Sequence, residues 1–307
     1  MKTPEELITA KIIADSVNMS GNRMVTMEIE YPRFILAELN THRMLSKNSA
    51  SSRAIPVQTM HTHIRQNPAQ PVSWGKNQSG MKAREQIDAT DTVEAMLIWE
   101  QAMDTAIDYS QQLAELDVHK QIVNRITEPW MTMKTVISGT EWNNFFYLRA
   151  HPDAQPEIQL LASKMKETYI NSVPQLLHPG EWHLPYITTK RNSRDRLEYF
   201  DQTGETLTAL EARVVSASCC AQVSYRRSDY SVEKAKKIFA QLIESEPCHA
   251  SPVEHQATPM SLELMDCFDP ETWQAGVTHV NANGDLWSGN LRGWVQFRKT
   301  IPGEASW

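Results

Sequence analysis

The chain predicts an α/β (α+β) fold, a mixed or antiparallel sheet flanked by several helices. Val25, Met27, Ile29 and Tyr31 alternate with Thr26, Glu28 and Glu30, the period of a half-buried strand. Apolar residues recur at helical spacing in several longer stretches. A hydrophobic content of 41% over 307 residues is enough to build a sizeable core.

Taken in order, Ser20-Gly21-Asn22 supplies a turn before that strand, and Pro32 ends it. Phe34 to Leu45 then reads as a helix on which Glu38 and His42, four apart, share a face. The Pro-, Gly- and Gln-rich stretch from Pro56 to Met81 is long for a plain connection, so it is either mobile or a folded loop beside a site. Its His61 and His63 read as solvated polar residues. Thr92 to Leu116 is a longer amphipathic helix whose Met96, Trp99, Met103, Ala106 and Leu113 read as packing. Ile158, Leu161, Met165 and Val173 mark another helix, which Pro174 helps to stop. Val232, Ala235, Ile238 and Leu242 mark one more after a Ser231 cap. With no internal repeat and no clear linker, the sequence predicts one domain over residues 1–307, with a long loop at about 54–90 and a C-terminal extension at about 260–307.

The formal charge of −7 argues against generic attraction to nucleic acid or to an anionic membrane, so an anionic ligand must be met by a local arginine cluster. No apolar run approaches the roughly 20 residues that span a bilayer, and no secretory apolar core follows Met1-Lys2-Thr3-Pro4-Glu5-Glu6, which predicts a cytoplasmic location. Cys219, Cys220, Cys248 and Cys267 form no C-x-x-C pair. Cys248, His249 and His255 lack a fourth zinc ligand, and Pro252 interrupts their spacing, so no metal is expected. There is no G-x-G-x-x-G, and Gly75-Lys76 is followed by Asn77 without Walker spacing, so phosphates must be gripped by side chains.

The densest source of such side chains is Thr41-His42-Arg43-Met44-Leu45-Ser46-Lys47-Asn48-Ser49-Ala50-Ser51-Ser52-Arg53. Arg offers a planar fork to phosphate, and Ser and Asn fix a polar ring. Taken alone, such a run is also compatible with a polar helix end entering a solvated loop. Its spacing, His-Arg-x-x-Ser-x-Asn-x-x-Ser-x-Arg, resembles the signature of the flavin-dependent thymidylate synthase family. A second block, Asn124-Arg125-Ile126-Thr127-Glu128-Pro129 with Asn143-Asn144-Phe145-Phe146-Tyr147-Leu148-Arg149 and Ala154-Gln155-Pro156-Glu157-Ile158, is similar to the later half of that family. A third, Ala221-Gln222-Val223-Ser224-Tyr225 and His249-Ala250-Ser251-Pro252-Val253-Glu254-His255, is similar to the segment that opens ordinary members. The blocks keep their cyclic order but start elsewhere, as a circularly permuted, divergent member would. Chain ends usually lie at the surface and often close together, so permutation is physically tolerable.

The resemblance implies a thymidylate synthase-like catalytic domain that transfers a one-carbon unit from methylenetetrahydrofolate to C5 of a pyrimidine deoxynucleotide, dUMP to dTMP. It implies FAD as cofactor, NADPH as reductant and a homotetramer that assembles its site between subunits. Arg53, Arg125 and Arg149 are the implied nucleotide-binding arginines, with Ser51, Ser49 and Glu38 at the same site. Arg149, with Arg53, is the implied catalytic cation, stabilising charge on O4 and N3 as C5 attacks. The bland reading of Arg149 is a salt bridge to Asp153 or Glu157. His42, Arg43, Asn48, Asn144, His249, Ser251 and Glu254 match positions around the flavin. Ser46, Ser49 and Ser51 are ligands rather than nucleophiles, since no His and Asp at convincing spacing make a hydrolase triad.

Departures from the pattern bear on the substrate. Thr41 stands where Arg is usual, Ser49 where Glu is usual, Glu38 where Gln is expected, and Thr140 where a flavin-side Arg is expected. An ionised Glu only accepts hydrogen bonds, so a base with an exocyclic amine, such as cytosine, becomes a candidate. The alternative outcome is C5-hydroxymethylation of dUMP or dCMP, or of cytosine in nucleic acid, with water rather than hydride quenching the C5 methylene. The second alternative is a flavin- or nucleotide-binding protein without turnover. In the basic, aromatic stretch Gly289 to Lys299, Arg298 is a candidate replacement for the arginine absent at position 41.

Overall fold

A computed structural model describes residues 2–224, 231–261, 263 and 265–304. Its main sheet contains β1 (Thr9–Val17), β2 (Arg23–Pro32), β3 (Ser46–Ser49), β4 (Thr132–Gly139) and β5 (Gln175–Leu176), in the order β3-β4-β2-β1-β5. β1, β2, β4 and β3 pair antiparallel, while β5 joins β1 in parallel, so the sheet is mixed. The alternation read from residues 25–31 is the central strand β2. It is buried on more than one face, because helices cover one side and the C-terminal half of the chain covers the other.

The helices are α1 (Pro4–Leu7), α2 (Leu36–Asn40), α3 (Val57–Gln66), α4 (Ala89–Glu115), α5 (Lys120–Val123), α6 (Asn143–Arg149), α7 (Pro156–Asn171), α8 (Ala209–Ala221) and α9 (Val232–Ile243). Pro156 starts α7, where its missing N–H costs nothing, and Ile158, Leu161 and Met165 bury against β1 and β2 beside Trp142, Phe145 and Phe146 of the α6 region. Thr208 and Glu211 form a reciprocal cap on α8, and Ser231 occupies the N-cap of α9. Short strands at 188–191, 197–200 and 206–207 precede α8. Strands at 279–280, 286–288 and 291–292 form a separate small sheet near the C-terminal end, and 294–296 pairs with 257–259.

Several expectations are corrected. The helix expected over 34–45 is a 3-10 turn at 33–35 and the short α2, so Glu38 and His42 do not share one helical face. Thr41 turns its hydroxyl back onto the Glu38 carbonyl (2.7 Å), and the Lys47 ammonium holds the carbonyls of His42 (2.6 Å) and Leu45 (2.9 Å), drawing the chain into β3 against β4. The stretch after Pro56 is not merely a loop, since α3 occupies its first part and packs Met60 and Ile64 against Met103 and Ile107 of α4. His61 is buried there rather than solvated, its Nε2 2.9 Å from the Ser110 hydroxyl. On α4, Met103 and Ala106 are buried but Met96 is exposed, and Val173 lies beyond the end of α7 and is exposed.

Candidate functional site

The 40–45 turn between α2 and β3 is where the polar run becomes a structure. On one side of it Arg149, the last residue of α6, donates from Nε to Nε2 of His42 at 2.8 Å and from Nη2 to the Thr41 hydroxyl at 2.9 Å. The Glu38 carbonyl lies 3.5 Å from the same Nη2. Arginine has no acceptor, so His42 is neutral with its proton on Nδ1. Burial against Phe145, whose ring meets the imidazole edge-on at 4.9 Å, holds the His42 pKa down to about 4, assisted by the charges of Arg149 and Lys47. Neither Asp153 nor Glu157 takes Arg149. Glu157 is buried and accepts from the Val72 amide, while Asp153 lies near Arg84 and His151. The Oε2 atom of Glu38 is buried without a hydrogen-bond partner among the described residues.

On the other side of the turn is a polar cavity of about 420 Å³, lined by Arg43, Lys47 and Glu254 together with Asn290, Gln296 and Lys299. Burial lowers the Lys47 pKa to about 8, against the opposing pull of Glu254. Glu254 is paired to Arg298, whose Nε also reaches Glu304 at 2.6 Å. Arg298 thus faces the cavity from a paired position, while the Thr41 hydroxyl is engaged by Arg149. Arg292 lies near Thr140, its amide 3.1 Å from the Thr140 hydroxyl and its Nε 2.8 Å from Glu141.

A third group of side chains lies past the far end of β3. Ser52 and Arg125 both reach Glu128 Oε1 (2.7 Å each), Arg33 pairs with Oε2 at 3.0 Å, and Asn124 holds the Ser52 carbonyl at 2.7 Å. Arg53 is exposed beside them and has no ion-pair partner among the described residues. Between the two ends, Ser49 meets the Thr135 hydroxyl at 2.8 Å, Asn48 donates to the Cys220 carbonyl, and the Ser51 amide donates to the Ser224 hydroxyl at 2.9 Å. The sequence blocks thus come together around β3, except that Tyr225 lies outside the described residues. Within one chain, however, Arg149 stands at one end of the strand and Arg53 and Arg125 at the other. Asn144 is exposed on α6, His249 is exposed before the turn that carries Glu254, and Ser251, the first residue of that turn, is exposed as well.

His255, next to Glu254, ends a buried polar chain: its Nδ1 is 2.8 Å from the Ser138 hydroxyl, which meets Thr26 at 2.7 Å, then His183 Nε2 at 2.8 Å, and His183 Nδ1 lies 2.9 Å from Ser16. Sequence reasoning missed this chain, Lys47, and the Asn290 and Gln296 wall. Single Ser, Thr and Asn residues spread over more than two hundred positions leave no local pattern.

Residues 22–175, half of the chain, match the model of the family described as thymidylate synthase complementing protein. The chain belongs to that family. The match contains the α2–β3 turn, Arg125 and Arg149, and ends where β5 begins; the segment carrying Glu254, His255 and the C-terminal wall lies beyond it. The chain is an enzyme of the thymidylate synthase type. No curated protein matches it. Solved structures similar to it include the UMP/dUMP methylase PolB from Streptomyces cacaoi bound with 5-Br UMP, at 15% identity and TM-score 0.43, covering 53% of this chain and 88% of that one. The same methylase bound with 5-Br dUMP matches at the same identity and TM-score, with 89% of its chain covered.

Proposed function

We propose that this chain transfers a one-carbon unit from methylenetetrahydrofolate to C5 of a pyrimidine deoxynucleotide, dUMP to dTMP, with FAD as cofactor and NADPH as reductant. The observation that carries the reading is the fixed Arg149 guanidinium. His42 and Thr41 occupy Nε and Nη2, and Nη1 has no partner among the described residues. A cation held in this way is preorganised for negative charge on O4 and N3 of a pyrimidine, and such a donor is worth about 3 kcal/mol in a transition state. Flavin, when bound, would supply the reducing chemistry at C5, and Arg149 would hold the pyrimidine edge during it.

The donor set fits that cofactor: the cationic side chains of Arg43, Lys47 and Lys299 line the cavity, as phosphates require, and Glu254 lies among them. Arg53 and Arg125 serve the nucleotide phosphate, with Ser51 and Ser49 nearby. Because they and Arg149 lie at opposite ends of β3, a nucleotide that touches all three takes them from two copies of the chain, which supports a homo-oligomer, a tetramer by resemblance. Exposed Met44, Tyr147 and Leu148 around the Arg149 end offer apolar surface for that contact.

A second reading, C5-hydroxymethylation of dUMP or dCMP or of cytosine in nucleic acid, takes its dCMP arm from Glu38, an acidic side chain that when ionised can accept from an exocyclic amine but cannot donate. The test is the absorbance spectrum of the purified protein, followed by incubation with methylenetetrahydrofolate, NADPH and either dUMP or dCMP. Flavin absorbance and a methylated dUMP product are expected. A product heavier by one oxygen, or turnover of dCMP alone, selects the second reading, and no flavin with no product overturns both.

A further inference from the structure

The cavity beside Arg43 has two walls of different origin. One comes from the family-matched part, through Arg43 and Lys47. The other, through Asn290, Gln296 and Lys299, comes from a segment more than a hundred residues past the end of the match.

The second wall is tied firmly in place. Asn290 donates to the Met44 carbonyl at 3.0 Å and meets the Ser46 hydroxyl at 3.1 Å. Gln296 donates to the Asn290 side chain and to the Glu254 carbonyl, each at 3.1 Å. Gly289, at φ +58, lets the chain turn tightly at the rim; a side chain there would press within 3.1 Å of Gln296 and 3.4 Å of the Lys299 stem.

Charge then indicates what the cavity takes. Arg43, Lys47, Arg298 and Lys299 face it against the single carboxylate of Glu254, in a chain whose net charge is −7. Glu304, behind the wall, holds Arg298 and Lys299 at 2.6 Å each and offsets part of that surplus. A concave patch of surplus positive charge on an acidic protein concentrates a multiply charged anion.

We propose that this cavity seats the pyrophosphate of the flavin dinucleotide and that the C-terminal segment, through Lys299 and Asn290, supplies its second wall. The inference rests on the reading of the chain as a flavin enzyme. The lowered pKa of Lys47 agrees with it, since a bound pyrophosphate restores the full charge that burial disfavours.

The experiment is equilibrium binding of FAD to the full chain, read by flavin fluorescence, for the wild type and for Arg43→Ala, Lys299→Ala and Glu304→Gln, with NADPH and dUMP titrated separately and thermal melting run on each variant. Lys299→Ala is expected to weaken FAD about tenfold, the loss of one charged hydrogen bond. Glu304→Gln, which releases Lys299 and Arg298, is expected to tighten it several-fold, and dUMP affinity is expected to stay within twofold. Opposite signs from two neighbouring substitutions cannot come from general destabilisation. If Arg43→Ala weakens FAD while Lys299→Ala and Glu304→Gln leave it unchanged, or if these two alter NADPH or dUMP binding instead, the inference fails and the flavin reading stands. If the wild type binds no FAD, that reading fails and the inference with it.

Discussion

Arg149 Nε donates to His42 Nε2 over 2.8 Å, and this one bond fixes both the tautomer of the imidazole and the aim of the guanidinium. The largest cause of the low His42 pKa is burial, with Arg149 second. Arg149→Ala is therefore expected to raise the His42 pKa from about 4 only part of the way to its ordinary value, as measured by the pH dependence of its imidazole NMR signals. A full return to the ordinary value would mean that Arg149, not burial, sets it.

The same substitution is expected to lower kcat about a hundredfold under the proposed chemistry. Arg149→Lys keeps the charge but cannot serve His42 and Thr41 with a rigid fork, so a loss of similar size is expected. Steady-state kinetics with dUMP check both, and full turnover by either variant would remove Arg149 from the reaction.

Arg33 and Arg125 share Glu128 but differ in exposure, the Arg125 side chain being 48% exposed and that of Arg33 18%. An exposed pair contributes little to stability. Arg125→Ala is expected to leave the melting temperature nearly unchanged while raising KM for the nucleotide at least tenfold, whereas Arg33→Ala is expected to lower the melting temperature. Calorimetry paired with kinetics separates the two.

Acid should destabilise the fold earlier than carboxylate titration alone would. His183 and His255 are fully buried and neutral, and burial holds each near pKa 3, with His183 adding to the effect at His255. In the unfolded chain they titrate at the ordinary histidine value. As pH falls below about 6.5 the unfolded state takes up protons that the folded state refuses, so stability drops with a slope of about 1.4 kcal/mol per pH unit for each residue. The drop continues until the folded pKa is reached. Denaturation midpoints measured between pH 7 and 4 are expected to show this slope, and His255→Gln is expected to flatten it.

Asn48 joins β3 to the C-terminal turn of α8 through the Cys220 carbonyl. Asn48→Ala leaves that partly buried acceptor unpaired and is expected to cost about 1–3 kcal/mol in urea denaturation. Asn48→Asp also lacks the donor and is expected to be no better.

What the sequence revealed, and what it hid, follows from the range of each signal. The alternation of residues 25–31 and the apolar spacing of 158–165 are local and survive into β2 and α7. The stretch 34–45 has apolar residues at helical spacing, yet Lys47 and the partner strand β4 reshape its end, and neither influence is written in the stretch itself. His61 looked solvated because its cover, Ser110, lies on a different helix. The motif brings the arginines forward only as candidates. Their division between the two ends of β3 was not legible, because it depends on register with β4.

β3 is an edge strand only four residues long, roughly 13 Å from end to end, and the family signature is strung across it. Adding or deleting a single residue would turn Asn48 and Ser49 to opposite faces and shift every group beyond them. Exchanging a residue at either mouth of the strand therefore changes one end alone. Its length is the one dimension that drift cannot alter without dismantling both ends together.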